Sequence, residues 1–591
     1  DPLGAGIGGS VVELDGIAVL GAEIYAPVEF ANAMIQSVAD RMRYLSAAQS
    51  RIRRGLAALT VTAAALTTPA LASPFEPGSS MSVDGKGYYV LAKPDMTAQA
   101  ATAVVTSGGT IEAANQTVGL FRVSSSSPGY AETIARLPGV ELATTIEAAQ
   151  EIPRPTDSFP RDTPTVHNGA QPEQAGPTNE DPLDIVRWDH TLIGADKARA
   201  AGNTGEGVTI GIMDSGVDET HPDIAPNYNE RLSRNFTVQD LDSDVPNPHW
   251  HNPCPADGCL ADAGAAPDEA HGTSVAGVAA AAANGIGVSG VAPDASIVSL
   301  RVFAGDEDGM DLLWPVNALT YAGARGINVV NMSFMVRQWL DSYSHPASTW
   351  TPGRELSAIA VNRALEYAHA RGVTLVAAAG NELADFSEAL PPLSVPLSLA
   401  GKGNDLAGGL SQLSLPHPVV LPAQGAYVIG AIAVGPGGEK ATYSNYGSQF
   451  ESARLIAAPG GDADAVDPAV GQDTGEILSA VPGGRWEYAQ GTSLAAPQIA
   501  GSAALVIAKF GTQDPANPER TTMPPDLVWE AIRDGATPTP CPPPRPPNFT
   551  YKGKLIPPQQ CIGPPGNNSF YGSGTVNVPR SLSNRPGMTA Q

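Results

Sequence analysis

Five near-continuous apolar runs constrain this chain most: Val208-Thr-Ile-Gly-Ile-Met, Ser296-Ile-Val-Ser-Leu, Ile327-Asn-Val-Val-Asn-Met, Val373-Thr-Leu-Val-Ala-Ala and Val428-Ile-Gly-Ala-Ile-Ala-Val. A strand that is apolar at nearly every position, instead of every second one, is covered on both faces, as in a parallel sheet between helices. Segments of helical length and composition, several of them alanine-rich, fall at 271–283, 315–325, 355–371 and 493–509. The alternation predicts an α/β fold, a three-layer sandwich with a mostly parallel central sheet. Pro- and Gly-rich insertions at 240–268, 336–356, 382–424 and 538–568 decorate that core and carry no catalytic pattern.

Open sheets of this kind gather ligands at the carboxyl ends of their strands. Asp214 follows the first run, Ser333 the third and Asn381 the fourth, so three strands deliver polar groups to one edge. Two further segments face the same chemistry. His271-Gly-Thr-Ser opens a helical stretch, and Gly491-Thr-Ser-Leu-Ala-Ala-Pro sets Ser493 where a glycine turn gives way to an alanine-rich run. Acyl transfer needs a nucleophilic oxygen, an imidazole to take its proton and a carboxylate to hold the imidazole's tautomer. Taken singly, Asp214 could cap a turn, His271 could merely begin a helix and Ser493 could be an N-cap.

Together these segments resemble the subtilisin-like serine proteases, the subtilases. Asp214-Ser-Gly with Val217-Asp-Glu-Thr-His-Pro-Asp, His271-Gly-Thr-Ser-Val-Ala-Gly, Ala379-Gly-Asn and Gly491-Thr-Ser-Leu-Ala-Ala-Pro follow the family's four signature regions in order. The resemblance spans roughly residues 183–581 and closes at Tyr571-Gly-Ser-Gly-Thr-Val-Asn-Val. It implies that Asp214 orients the imidazole, His271 is general base and then general acid, and Ser493 attacks the scissile carbonyl. The side-chain amide of Asn381 and the backbone N–H of Ser493 would hold the oxyanion. Loss of such a side-chain donor costs about 3 kcal/mol of transition-state stabilisation, a figure measured on the family's own asparagine. A catalytically silent fold acting as a binding or scaffold protein is the rival reading, and no Gly-x-Ser-x-Gly elbow supports another class of serine enzyme.

Further expectations rest on the same resemblance. Backbone groups around Ser333 and Phe334 would pair with an extended peptide, with Met335 crowding the groove and Glu382 at the rim of the main specificity pocket. Broad specificity is the default. No cofactor is required for the chemistry, but Asp184, Asp223 and Asn284 align with side-chain ligands of the family's strong calcium site, so a structural Ca2+ is expected. Residues 86–150 read as a small α+β unit, with strands at Tyr88-Tyr-Val-Leu-Ala, Gly108-Gly-Thr-Ile and Val118-Gly-Leu-Phe-Arg-Val and helices after Thr97 and near 130–137. This unit resembles the inhibitor-like propeptide, which would make the chain a zymogen and its own first partner. Residues 151–182 are polar and Pro-rich, as an exposed linker and cleavage region should be.

Near the start, Arg51, Arg53 and Arg54 precede an apolar stretch at 56–72 that ends in Ala70-Leu-Ala. It is short for a membrane span and has the small residues a signal peptidase reads, so 51–72 is expected to be a secretory leader of an extracellular protein without stable membrane attachment. Met42 would give that leader an ordinary start, with 1–50 an upstream or n-region segment and 582–591 a tail. Export permits disulfides, and the four cysteines fall as two local pairs, Cys254 with Cys259 and Cys541 with Cys561. Neither pair has the Cys/His quartet of a zinc site, which leaves loop staples as the preferred reading. Lys and Arg number 34 against 60 Asp and Glu, for a net charge of -26. A nucleic-acid backbone would be repelled, protein or peptide substrates are the expected partners, and a monomer is expected.

Overall fold

The structure, a computed structural model, describes residues 86–150, 181–237, 258, 270–303, 310–335, 352–385, 420–447, 454–463, 475–515, 517–544, 550–551, 554–555, 558–583 and 586–587. The expected leader at 51–72, residues 1–50, the linker up to residue 180, Cys254 and Cys259 lie outside the described residues, as does part of the 582–591 tail.

The first described unit comprises β1 (Lys86–Ala92), α1 (Thr97–Thr106), β2 (Thr110–Asn115), β3 (Leu120–Ser125), α2 (Tyr130–Ile134), β4 (Val140–Thr145) and α3 (Ile146–Gln150). Its four strands are antiparallel in the order β2-β3-β1-β4. Successive side chains of β1 point to opposite faces, as in any strand. Tyr88 and Val90 pack with Val104 of α1 and Ile134 of α2, whereas Tyr89 and Leu91 join the core of the larger unit.

The larger unit opens with α4 (Trp188–Ile193) and α5 (Ala195–Ala200), followed by β5 (Thr209–Asp214), β6 (Arg234–Asn235), α6 (His271–Ala280), β7 (Ser296–Arg301), α7 (Leu313–Arg325), β8 (Val329–Met332), α8 (Pro352–Ala370), β9 (Thr374–Ala378), β10 (Val428–Val434) and β11 (Arg454–Pro459). A hairpin of β12 (Ile477–Val481) and β13 (Arg485–Ala489) then leads into α9 (Thr492–Phe510) and α10 (Pro525–Gly535). The central sheet has seven strands in the order β11-β10-β9-β8-β5-β7-β6, parallel at every step. Two cores cover its faces: Met213, Val330 and Leu375 pack with α7 and α8, while Ile212, Val329 and Val376 pack with α6, α9 and α10. That period-2 division of apolar residues is why the runs read as apolar throughout. The one helix among the described residues long and apolar enough to cross a bilayer is α9, and it is buried in this core. Cys541 and Cys561 form a disulfide.

A buried charge network fastens the segment before β5 to α9. The Arg187 guanidinium donates to Asp189 Oδ1 from Nε (2.9 Å), to Asp189 Oδ2 from Nη2 (2.7 Å) and to the Ser289 carbonyl from Nη1 (3.0 Å). Gln498 of α9 donates to the same Asp189 Oδ2 at 2.6 Å. Burial works to raise the Asp189 pKa, but Arg187 and the surrounding donors outweigh it and hold it down at about 2. Burial, then the neighbouring Arg187, lowers His190 to about 4, so its ring is neutral at pH 7 and Nε2 accepts from Arg187 Nη2 at 2.8 Å. Removing one partner of such a pair leaves an uncompensated buried charge, so Arg187→Ala is expected to destabilise the fold by about 3–5 kcal/mol in chemical denaturation at pH 7. Asp189 is depressed relative to its unfolded value, so its contribution is present above the unfolded pKa and lost as pH falls through about 2. The deficit of Arg187→Ala should therefore shrink as the measurement moves from pH 7 toward pH 2.

Candidate active site

Asp214 ends β5, the strand flanked by β7 and β8, and its carboxylate is fully buried. Oδ1 accepts from the backbone N–H of Ser215 at 2.8 Å and lies 2.7 Å from Nδ1 of His271. His271 is the first residue of α6, and its side chain is 46% exposed, so one edge is held by a buried carboxylate while the other reaches solvent. The close approach depends on Gly272: a Cβ there would run into the Gly216 carbonyl oxygen.

Ser493 lies in the first turn of α9. Four residues on, Pro497 has no N–H to give, so the Ser493 carbonyl lacks its helical partner. Ser333, just beyond β8, fills the gap: its hydroxyl donates to that carbonyl at 2.7 Å and in turn accepts from Asn331 Nδ2 at 2.8 Å. The Ser493 hydroxyl donates back to the Ser333 carbonyl at 3.2 Å. Asn381 follows β9, and its Oδ1 accepts from both the backbone N–H and the hydroxyl of Thr492, each at 2.9 Å. This fixes the amide orientation and leaves Nδ2 as the free donor. An ideal Cβ built on Gly491 would lie 3.5 Å from Asn381 Nδ2 and 3.6 Å from the Ser493 nitrogen, so both donors border one small space.

The four residues from the ends of β5 and β9 and the starts of α6 and α9 thus occupy one edge of the sheet. The expected subsite residues are less uniform. The Phe334 side chain is in the core, edge-on to Phe303 with ring centroids 5.3 Å apart. The Ser333 carbonyl, in the segment whose backbone is expected to meet a peptide, accepts the Ser493 hydroxyl. Met335 is half-buried, with its sulfur toward Gly380, and Glu382 Oε2 accepts from Asn445 Nδ2 at 2.7 Å. Sequence reasoning missed Thr492 and Asn445. The first stood inside the quoted serine motif, while the second has no motif to mark it.

Asp184, Asp223 and Asn284 meet at one corner of the fold, but they do not fit calcium as a set. Asp184 Oδ2 pairs with Arg199 Nη2 at 2.7 Å, and Oδ1 accepts from the Ser289 N–H at 2.9 Å. Asn284 Oδ1 accepts from the Ile286 N–H at 3.2 Å. Asp223 Oδ2 accepts from Trp486 Nε1 (2.7 Å) and from the Val288 N–H (3.0 Å), leaving Oδ1 alone without a partner. Burial raises Asp223 to about 7 against these donors. Calcium wants several converging oxygens. Asp181 adds a third carboxylate here, but its Oδ1 accepts from the Gly285 N–H at 2.6 Å and its Oδ2 from the Ser289 hydroxyl at 2.8 Å. N–H groups, a hydroxyl and a guanidinium thus engage every carboxylate oxygen of the corner except Asp223 Oδ1. Among the described residues no group of three or more His, Cys, Asp or Glu could hold a metal ion.

The sequence profile described as the Subtilase family matches residues 205–573. Subtilisin NAT of Bacillus subtilis subsp. natto is 26% identical over 327 residues, which cover 55% of this chain and 62% of that protein. The chain therefore spans less than two thirds of that relative's length. Subtilisin BL of Lederbergia lenta is 28% identical over 321 residues, 54% of this chain and 84% of that protein. Among solved structures, the epidermin leader peptide processing serine protease from Staphylococcus aureus superposes with a TM-score of 0.54 at 20% identity, covering 84% of this chain and 98% of that one. Fervidolysin from Fervidobacterium pennivorans gives 0.52 at 18% identity, covering 87% of this chain and 63% of that one. These structures share the fold. With a family profile matched over more than half its length and carried by the motifs that build the site, this chain belongs to the subtilase family.

Proposed function

We propose that the chain is a secreted serine endopeptidase of broad specificity, made as a zymogen. The observation that carries the reading is the 2.7 Å contact between the buried Asp214 carboxylate and His271 Nδ1, beside a serine at a helix start and an amide whose orientation is fixed. Asp214 holds the ring so that Nε2 is the basic atom. Ser493 Oγ leaves the Ser333 carbonyl, passes its proton to His271 Nε2 and attacks the scissile carbonyl. Charge then develops on the carbonyl oxygen, where Asn381 Nδ2 and the Ser493 N–H donate. His271 returns the proton to the departing amine, forming the acyl-enzyme, and a water activated by the same ring releases the acid. No step calls for a cofactor.

Residues 86–150 are proposed as the inhibitory propeptide and 183–581 as the catalytic domain. Supporting this, the β1 to β4 unit packs on α7 and α8. Asn115 Nδ2 donates to Asn317 Oδ1 (2.9 Å) and Thr320 Oγ1 (2.8 Å), and Arg363 Nη1 donates to the Ala92 carbonyl (2.8 Å). Release would require cutting in 151–182. At the acidic corner, Arg199 supplies the positive charge that the family's calcium would bring, and stability is proposed to be independent of calcium.

Four outcomes follow. An active-serine phosphonate should label Ser493 stoichiometrically in matured protein, as read by intact mass, and fail to label His271→Ala; an unlabelled, folded, matured chain would sink the peptidase reading in favour of the scaffold. In Ser493→Ala the unit at 86–150 should stay covalently attached, as read by mass or electrophoresis, if processing is autocatalytic. Excess chelator should leave the melting temperature unchanged. Asp223→Asn should raise that temperature at pH 8 and lose its advantage toward pH 4. The sign follows from Asp223 being raised from 3.8 to about 7: its contribution is fully present below 3.8 and lost as pH rises through 7. A calcium ligand would behave oppositely, with both chelation and Asp223→Asn lowering the melting temperature.

A further inference from the structure

We infer that Asn445 is a positioning residue for the oxyanion amide, an assignment that rests on the reading of Asn381 above. The segment from Ala379 to Ala384 carries Asn381, and its backbone is not one that sequence alone would favour: Gly380 has a φ of 103° and Leu383, which has a side chain, a φ of 64°. A non-glycine residue in that region persists only where its surroundings over-determine it. Asn445 is fully buried and does so. Its Oδ1 accepts from the N–H groups of Glu382 (3.0 Å) and Ala384 (2.8 Å), and its Nδ2 donates to the Ala379 carbonyl (2.9 Å) and to Glu382 Oε2 (2.7 Å). Its own N–H donates to the Gly380 carbonyl at 2.9 Å. Both amide faces are thus committed to the two sides of Asn381, skipping Asn381 itself. On either side of this clamp, Leu383 N–H donates to the Tyr443 carbonyl (3.0 Å) and Tyr446 N–H to that of Ala384 (2.9 Å). The glycine and the asparagine also depend on each other, since a Cβ on Gly380 would strike Asn445 Nδ2.

Asn445 therefore sets where the backbone of Asn381 stands, and Thr492 sets how its amide is turned. A displacement of well under a bond length at the donor is enough to weaken a hydrogen bond made only in the transition state. The cost of losing Asn445 should then fall on kcat and should depend on Asn381 being present.

The test is a double-mutant cycle on matured enzyme, with concentrations set by phosphonate titration of Ser493 and folding checked by melting temperature. Asn445→Ala is expected to lower kcat by about 10- to 100-fold with KM changed by no more than about 2-fold. In an Asn381→Ala background the same change should cost less than about 3-fold. Asn445→Asp keeps the acceptor for the two N–H groups but sets a carboxylate oxygen against Glu382 and the Ala379 carbonyl. It should lose at least as much as alanine and regain several-fold when Glu382→Gln is added, relative to Glu382→Gln alone; this pair decides the matter if the alanine variant does not fold. Equal losses with and without Asn381, unchanged kcat in the folded Asn445 variants, or no recovery in the Asp/Gln pair would overturn the assignment. A wild-type kcat in Asn381→Ala would instead overturn the oxyanion reading on which it rests.

Discussion

The Ser493 carbonyl, left without a helical donor by Pro497 and taken up by the Ser333 hydroxyl, ties the helix of the proposed nucleophile to the sheet. A proline in the first turns of a helix removes one N–H at a known place. That place is one turn away from Ser493, whose hydroxyl is the proposed nucleophile. The vacancy is filled from the end of β8, so the start of α9 cannot shift without breaking a bond to the strand beside β5, which carries Asp214. Thr492 makes the corresponding link to Asn381 beyond β9. Three neighbouring strands and one helix start are thereby locked in register, and the parallel ladder supplies the stiffness.

Much of this was legible in the residues, for reasons that differ from part to part. The apolar runs exposed five central strands because burial on both faces removes the alternation that would otherwise disguise a strand's length. β11 and the β12 to β13 hairpin escaped notice: Arg454-Leu-Ile-Ala-Ala-Pro is a short edge segment, and Arg485-Trp-Glu-Tyr-Ala alternates like an exposed ribbon. Asp214, His271, Asn381 and Ser493 were visible because local glycines and small residues mark their turns. Asn445 was not, because its role lies entirely in bonds to a loop some sixty residues earlier, and no periodicity records such a contact.

The acidic corner shows the same limit from the other side. Asp184, Asp223 and Asn284 have the identities and spacing of a calcium set, but spacing does not say what else will arrive. Arg199 comes in from α5 and pairs with Asp184, and Trp486 from the hairpin claims Asp223. Acidic side chains far outnumber basic ones here, and three buried carboxylates each meet a guanidinium: Asp184 with Arg199, Asp189 with Arg187, Asp311 with Arg122. Burial raises the cost of an unpaired charge, so these three interior carboxylates are held by interior arginines.

The same pairing bears on how the unit at 86–150, the proposed propeptide, is held. Tyr88-Tyr-Val-Leu-Ala is apolar at every position, which a four-stranded sheet with helices on one face does not require. The surplus is explained by the second face: Tyr89 and Leu91 enter the core shared with α7 and α8, while Tyr88 and Val90 serve the unit's own. Around them the contacts are polar and charged, with Arg122 on Asp311 and Arg363 on Glu141 and the Ala92 carbonyl. Separation would expose the apolar face to water while leaving Asp311, 1% exposed at its side chain, without its guanidinium partner. Solvation of the freed charges offsets part of that loss, which the exposed tyrosine and leucine do not recover. An interface of this make-up holds firmly as long as the unit's own core keeps the β1 face flat, and loosens once that core is cut apart. Proteolysis within 86–150 should therefore detach the unit from α7 and α8 more completely than a single cut beyond residue 150.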